Sequence, residues 1–345
     1  MRALVITGPH AAEVQDVAAP VAAPGELLIT VERAGICGTD IELYTGNMAY
    51  IKSGHTHFPV RPGHEWTGRV LAVGFGSDEA WLGKRVTGDT MLGCGTCTYC
   101  LGGRQYVCPN RFEVGIRGDW PGALAEQVVI PTRFAHEIPE HLSLAAAALI
   151  EPGGNSLRAA QAAQITPGQK VLVLGSGTIG LLAAQFALAD GAEVQVGGER
   201  EGALALARSL GVGRTHALDD LVSAPGEQFD AVIDATSVDT MPALAARLAK
   251  PGGRVVYIGI SPTASLVDTR ELVLKDVTAV GILSASPGLA GAIERFASGA
   301  VIPDSIVGEV ISLEDVPGRF EGRRGDTAGP GPKVQVDPRL VGTAP

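Results

Sequence analysis

Hydrophobic and polar positions along the chain fall into two regimes. Up to about residue 150, short apolar or β-branched runs alternate with turn residues: ALVI at Ala3–Ile6, ELLITVERAG at Glu26–Gly35, TGRVLAVG at Thr67–Gly74, KRVTGD at Lys84–Asp89 and ALAEQVVIP at Ala123–Pro131. Runs of this length between Gly, Pro and Asp read as strands, so the pattern predicts a β-rich domain. From Ser143 the composition turns helical, in SLAAAALIEPGGNSLRAAQAA, with a break expected at Pro152-Gly153-Gly154. Strands and helices then alternate. Strands are expected in Gln169–Gly175, Ala192–Gly198, Phe229–Thr236, Gly253–Ile260 and Val277–Leu283, with helices over Thr178–Ala189, Gly202–Leu210 and around Met241–Lys250. Such alternation builds a parallel sheet covered on both faces. After Ser286 come a short helix in Gly288–Gly299, a loop in Glu321–Pro332 and a strand at Lys333–Val336.

The expected architecture is α/β. Residues 1–152, completed by 286–345, form the β-rich domain, and 153–285 a doubly wound domain. The run VLVLGSGTIGLLAAQFALA, Val171–Ala189, is long and apolar enough to imitate a membrane span. Gly175-Ser176-Gly177 splits it into a β-branched and an Ala/Leu half, which fits a buried strand, a turn and a buried helix. The start, MRALVITGPH, is too short for a signal-peptide core, so a cytoplasmic protein is expected. A net charge of −10 over 345 residues argues against a nucleic-acid groove or an anionic membrane surface.

Candidate chemistry sits in three places. In VLVLGSGTIG, Gly175, Gly177 and Gly180 form G-x-G-x-x-G between a strand and a helix, with Thr178 and Ile179 opening the helix. The helix N-terminus then receives a pyrophosphate. The next strand ends at Gly198, followed by Glu199 and Arg200. Glycine leaves room for a 2′-phosphate that Arg200 can grip, which favours NADP. The alternative has Glu199 binding the ribose and Arg200 stacking on adenine, which gives NAD.

Four of the five cysteines, Cys94, Cys97, Cys100 and Cys108, are spaced C-x2-C-x2-C-x7-C. Four thiolates in one loop suit a closed tetrahedral zinc site with a structural role. A disulfide framework, a rubredoxin-like iron centre and a redox thiol pair compete with that reading. The fifth, Cys37 in AGICGTDIELY, joins His64 and Glu65 in RPGHEWTG and Glu151 in LIEPGGN as residues able to ligate a metal. Singly, each has a bland structural explanation.

The CGTD turn, the GHE turn, the four-cysteine lobe, the EP after a helix and the G-x-G-x-x-G, in that order along nearly the whole chain, resemble the zinc-containing medium-chain alcohol and polyol dehydrogenases, in particular the sorbitol- and threonine-dehydrogenase-like branch. The resemblance implies a GroES-like catalytic domain, a Rossmann domain and two zinc ions. It implies Cys37 and His64 as ligands of a catalytic zinc, Glu65 as ligand or near-ligand, and Glu151 at the position where this branch carries an acid. Asp40 would orient the His64 ring, and Thr39 would bond the substrate oxygen. One departure is Glu42, where many members carry a proton-relaying histidine. Another is Leu218, where NADP-using relatives often add an aromatic contact.

The acid at Glu151 favours a polyol, sugar, cyclitol or amino-alcohol as small-molecule substrate. Tyr44, Asn47, Tyr50, Trp66 and Arg117 are candidate pocket residues or structural ones, and His55 and His57 mark an unusual loop. A reductase running the same chemistry backwards, a hydride-recycling lyase or epimerase, and a non-catalytic nucleotide-binding protein remain alternatives. The apolar strand Val277–Leu283 closes the sheet, so a homodimer or homotetramer is expected.

Overall fold

The computed structural model describes residues 1–223, 226, 228–323 and 328–342. The chain divides into two compact units: Met1–Glu151 with Pro303–Gly329 and Lys333–Pro345, and Pro152–Ile302 with Pro330–Pro332.

The first unit is built on a seven-stranded sheet. Its order runs Val307–Ile311, Lys333–Val336, Glu26–Gly35, Glu65–Val73, Arg85–Gly88, Ala135–Glu137, with Gln127–Pro131 also paired to Glu26–Gly35. The alternation in ELLITVERAG puts Leu27, Ile29 and Val31 inward, where they pack with Trp66, Leu124 and Ile130. Two of the candidate pocket residues belong to this core. Trp66 is 1% exposed. Tyr44 is buried, packs on Phe320 and donates its hydroxyl to the His10 carbonyl.

The second unit is a six-stranded parallel sheet ordered Arg214–Ala217, Glu193–Gly198, Lys170–Leu174, Phe229–Asp234, Ala249–Tyr257, Thr278–Gly281. The strand order reverses beside Lys170–Leu174, the position at which such sheets bind ligands. The membrane-like run is divided between this strand and the helix Thr178–Ala189. Among the described residues no helix is long and apolar enough to cross a membrane.

Two expectations are corrected here. The helix Ile150–Ala162 is unbroken through Pro152-Gly153-Gly154. Proline is tolerated in a first turn, and the glycines serve packing: a Cβ on Gly153 would lie 2.8 Å from the Phe296 ring, and one on Gly154 3.0 Å from Ala285. The helix Leu289–Ala297, expected in the returning segment, belongs to the second unit. Phe296 stacks on Phe186, and Arg295 pairs with Asp190 at 2.7 Å. Of the loop expected over Glu321–Pro332, residues 324–327 lie outside the described residues.

Candidate active site

The strand Glu26–Gly35 delivers the chain to Cys37, the N-cap of the helix Gly38–Thr45. Asp40, at the third helical position and fully buried, joins two turns at once. Its Oδ2 accepts the Cys37 N–H at 2.8 Å and its Oδ1 the Gly63 N–H at 3.1 Å. Gly63 holds φ +104°, and a Cβ there would come 2.5 Å from the Leu124 nitrogen, so only glycine fits the turn that presents His64. Glu65 then opens the next strand directly opposite Gly35. A Cβ on Gly35 would stand 2.1 Å from Glu65 Oε2, so this glycine makes the space the carboxylate fills.

Ligand atoms of Cys37, His64 and Glu65 lie within 4.8 Å of one another. Donors about 2.0–2.3 Å from a tetrahedral zinc stand roughly 3.3–3.8 Å apart, so the set fits that ion with small side-chain movement. His64 Nδ1 is buried without a hydrogen-bond partner. Asp40 Oδ1 is 3.7 Å from it, beyond hydrogen-bond length, so Asp40 fixes the His64 turn through backbone and not through the ring. Burial alone would lower the imidazole pKa; the Cys37 thiolate and the Asp40 and Glu151 carboxylates outweigh it, and His64 is raised well above the ordinary value.

Glu151 stands apart from the three-residue cluster. It is buried in the first turn of Ile150–Ala162 and accepts the Thr90 hydroxyl at 3.2 Å. Burial, opposed by His64 and reinforced by Glu65, pushes its pKa up to about 7. Thr39 lies on the helix turn beside Cys37, whose Sγ donates to the Thr39 Oγ1 at 3.9 Å. Glu42 follows one helical turn later on the same face, half-buried, its carboxyl raised by that burial.

Lys333 and Thr90 were not legible as site residues. Lys333, 4% exposed, comes from the strand Lys333–Val336, and its ammonium donates to Glu65 Oε2 at 2.5 Å and to the Ile36 carbonyl at 2.9 Å. Burial would lower its pKa, but Glu65 and the Cys37 thiolate raise it. The K of KVQV carried a faint signal: a cation inside an otherwise apolar strand needs a buried partner.

Of the candidate pocket residues, Tyr50 and Arg117 meet. The Tyr50 hydroxyl donates to Glu113, Arg111 donates to both, and the Arg117 guanidinium lies 5.4 Å from the Tyr50 ring centroid. Thr56 ties this loop to Ile116 at 2.5 Å. His55 pairs with Ser53 and His57 stands 3.7 Å from Asp119, while Asn47 is exposed.

The sulfurs of Cys94, Cys97, Cys100 and Cys108 also converge within 4.8 Å. A Cβ on Gly93 would sit 2.7 Å from Cys100 Sγ. Hydrogen bonds from the Thr96 hydroxyl and the Thr96 and Cys97 amides hold the Cys94 thiol down at about 5, while burial pushes Cys100 up to about 12. Four sulfurs this close suit a single tetrahedral metal ion.

In the second unit Gly175 holds φ +104° against the Ala235 carbonyl, and a Cβ on Gly180 would lie 1.9 Å from the Gly175 oxygen. Gly177, N-cap of the helix, has open space where its Cβ would be. Those are the tight turn, the close packing and the phosphate approach of a dinucleotide fingerprint. Thr178 and Ile179 form the first turn of that helix. Gly198 is buried, whereas Glu199 and Arg200 are exposed.

The chain matches the alcohol dehydrogenase GroES-like domain over residues 23–140 and the zinc-binding dehydrogenase domain over 178–298. It is 32% identical over 275 residues to an L-threonine 3-dehydrogenase of Idiomarina loihiensis, covering 77% of this chain and 79% of the relative. A structure described as a zinc-binding dehydrogenase from Sinorhizobium meliloti, bound to NADP, superposes with TM-score 0.89 at 30% identity over 98% of this chain and 99% of that one. An alcohol dehydrogenase from E. coli with NADH superposes with TM-score 0.88 at 26% identity, over 98% and 99%. With two convergent ligand clusters in a GroES-like unit and a dinucleotide turn in a Rossmann unit, the chain belongs to the zinc-binding medium-chain alcohol dehydrogenases, NAD(P)-dependent enzymes acting on small alcohols.

Proposed function

We propose that the protein transfers hydride between NADP(H) and a secondary alcohol of a polyol, sugar, cyclitol or amino-alcohol. The observation that carries this reading is the convergence of Cys37, His64 and Glu65, with the second carboxylate, Glu151, in the same unit. Cys37 and His64 would hold a zinc ion, with Glu65 or Glu151 as the exchangeable donor, and Cys94, Cys97, Cys100 and Cys108 a second, structural one. Zinc at Cys37 would supply Lewis acidity toward an alcohol oxygen, as it lowers bound water to a pKa of ~7, and the nicotinamide a hydride acceptor. Asp40 fixes both ligand turns. The Thr39 hydroxyl orients the substrate O–H and, as it takes that proton, passes its own on. Glu42, one turn on, takes that proton toward solvent; its burial-raised pKa makes it a better match to neutral pH than an ordinary glutamate. The carboxylate left free, Glu65 or Glu151, binds a neighbouring hydroxyl or ammonium of the substrate, which favours polyhydroxy and amino-alcohols over ethanol. The threonine dehydrogenase relative supports such a substrate.

For the cofactor, Gly175, Gly177 and Gly180 admit the pyrophosphate, with Thr178 and Ile179 in the helix turn that receives it. Gly198 and the exposed Arg200 favour a 2′-phosphate, and the NADP-bound relative supports that preference. Glu199 must then point away. The edge strand Thr278–Gly281, with Val273 and Leu274 about four-fifths exposed nearby, suits pairing with a second copy in a dimer or tetramer. Five unpaired thiols fit a reducing compartment, so we place the enzyme in the cytoplasm.

The test is initial-rate nicotinamide absorbance with NADP⁺ and NAD⁺ separately, offered ethanol, threonine, sugars, polyols and aminocyclitols. Reduction of NADP⁺ by a polyhydroxy or amino-alcohol is expected. Turnover with NAD⁺ alone would reverse the cofactor assignment. No turnover with any alcohol or matching carbonyl by zinc-loaded protein would sink the reading.

A further inference from the structure

We infer that the hollow walled by Arg61 and Trp120, on the face of the first unit's N-terminal hairpin turned away from the core, binds a small organic monoanion: a carboxylate on an apolar body. The site is independent of the proposed hydride transfer. None of Cys37, His64, Glu65 and Glu151 lines it.

Among the described residues, Arg61 and Arg200 are arginines whose guanidinium meets no carboxylate, carbonyl or ring, whereas Arg111, Arg117 and Arg133 each find at least one. Arg200 is exposed, so water serves it; Arg61 is half-buried. Burial holds the Arg61 pKa below the ordinary arginine value, and no neighbouring acid offsets that. A cation partly withdrawn from water calls for a counter-charge. Its backbone is also fixed. The Arg61 carbonyl accepts the Gly122 N–H at 2.8 Å and the Pro62 carbonyl the Leu124 N–H at 3.0 Å, so the guanidinium is presented from a rigid pairing.

Strand alternation makes the space beside it. In Arg2–Gly8, Leu4 and Ile6 belong to the core, which leaves Val5 on the other face. There Val5 lines a hollow of about 380 Å³ with Val17, Pro59, Ile116 and Trp120. Arg61, Trp120 and Pro121 also border a smaller hollow of about 210 Å³, so the guanidinium stands where two clefts meet. The Trp120 ring is held in place by its Nε1–H, which donates to the Val129 carbonyl at 3.1 Å. Mostly apolar walls with one unpaired cation select a ligand that is apolar except for one anionic head. The planar fork of a guanidinium matches a carboxylate through two parallel hydrogen bonds. Nearby acids set the charge. Asp119 lines the larger hollow, 3.7 Å from His57 Nδ1, and Glu26 borders the smaller one, where it accepts the Ala23 N–H at 2.9 Å. Both repel a dianion more than a monoanion, which favours a carboxylate over a phosphate.

The experiment titrates the full-length, metal-loaded protein with sodium octanoate, followed by tryptophan fluorescence and calorimetry, with octanol and inorganic phosphate as comparison probes. Octanoate is expected to bind and to change the fluorescence, and Trp120→Phe to lose that change. Arg61→Met should weaken octanoate by about tenfold or more, to the level at which octanol binds the wild type. Rates of alcohol oxidation without octanoate should match between Arg61→Met and wild type. Equal octanoate affinity in Arg61→Met would overturn the inference, since a carboxylate bound at the metal centre would behave in that way. Tighter binding of phosphate than of octanoate would overturn the carboxylate class, and no octanoate binding to the wild type would overturn the site. Gln15→Glu adds a negative charge to the same hollow and leaves Arg61 in place. It should weaken octanoate in the same direction, and it carries the comparison if Arg61→Met does not fold.

Discussion

A Cβ built on Gly198 would lie 2.3 Å from Oγ of Ser176, the residue inside the glycine-rich turn. The end of this strand is therefore kept bare by packing against the phosphate turn as well as by any need of the ribose. Gly198→Asp alone is expected to weaken both cofactors through overpacking of about 1–3 kcal/mol, not to convert the enzyme to NAD. Gly198→Asp with Ser176→Gly relieves the clash and should gain NAD⁺ use. Arg200→Ala should raise KM for NADP⁺ about tenfold or more and leave NAD⁺ nearly unchanged. Initial rates with each cofactor decide this, and an equal effect on both would reject the role of Arg200.

Gly35→Ala tests the cavity made for Glu65. A methyl group 2.1 Å from Oε2 must push the carboxylate aside or spread two central strands. Metal content at the Cys37 centre should fall, with kcat down by about tenfold or more, while the four-thiolate site keeps its ion. Full metal content with wild-type rates would mean the strands absorb the methyl group.

The pH dependence of metal-free protein follows from Glu151 and His64. Glu151 is raised from 4.5 to about 7, so the folded state holds a proton that the unfolded chain has released, and stability falls as pH climbs through that window. His64 is raised above 6.5, so its contribution is complete below that pH and is lost as pH rises through its folded pKa. Both act in one direction. Denaturation midpoints should be higher near pH 5 than near pH 8, and Glu151→Gln should flatten the lower part of the slope. A midpoint rising across that range would contradict the burial of these groups.

Thr39→Val removes the hydroxyl beside the thiolate while keeping the shape. We expect kcat to fall about 10²-fold or more, with Thr39→Ser retaining most of it. Glu42→Gln should alter the pH profile of kcat without moving metal content. An unchanged profile would reduce Glu42 to a surface acid.

Cys108→Ser should release one zinc per chain and lower the thermal midpoint, because Gly93–Cys108 has little apolar core besides Cys108 itself. Metal analysis alongside calorimetry checks it. An unchanged midpoint would remove the structural role.

Much of this was visible in the chain. The helix Thr178–Ala189 was delimited to the residue, because Gly177 precedes a strongly apolar run. Both ligand clusters were legible because thiols and glycine-flanked histidines carry chemistry in their identity. What failed is equally specific. Pro152-Gly153-Gly154 looked like a helix break, since local propensity says nothing of a phenyl ring lying 2.8 Å away. Trp66 stayed open between pocket and structure because proximity to His64 in sequence does not say which way a strand residue points; alternation sends it into the core. Thr90 and Lys333 were invisible because their meaning is entirely long-range.

Lys333 and Cys37 are neighbours across 333 − 37 = 296 residues of chain. On a ribosome adding about 5–20 residues per second, roughly 15–60 s separate their emergence. During that interval a nascent chain already owns Cys37, His64 and Glu65 but not the ammonium that pairs with Glu65. The charge of this pocket is therefore complete only once the strand Lys333–Val336 has paired with Glu26–Gly35.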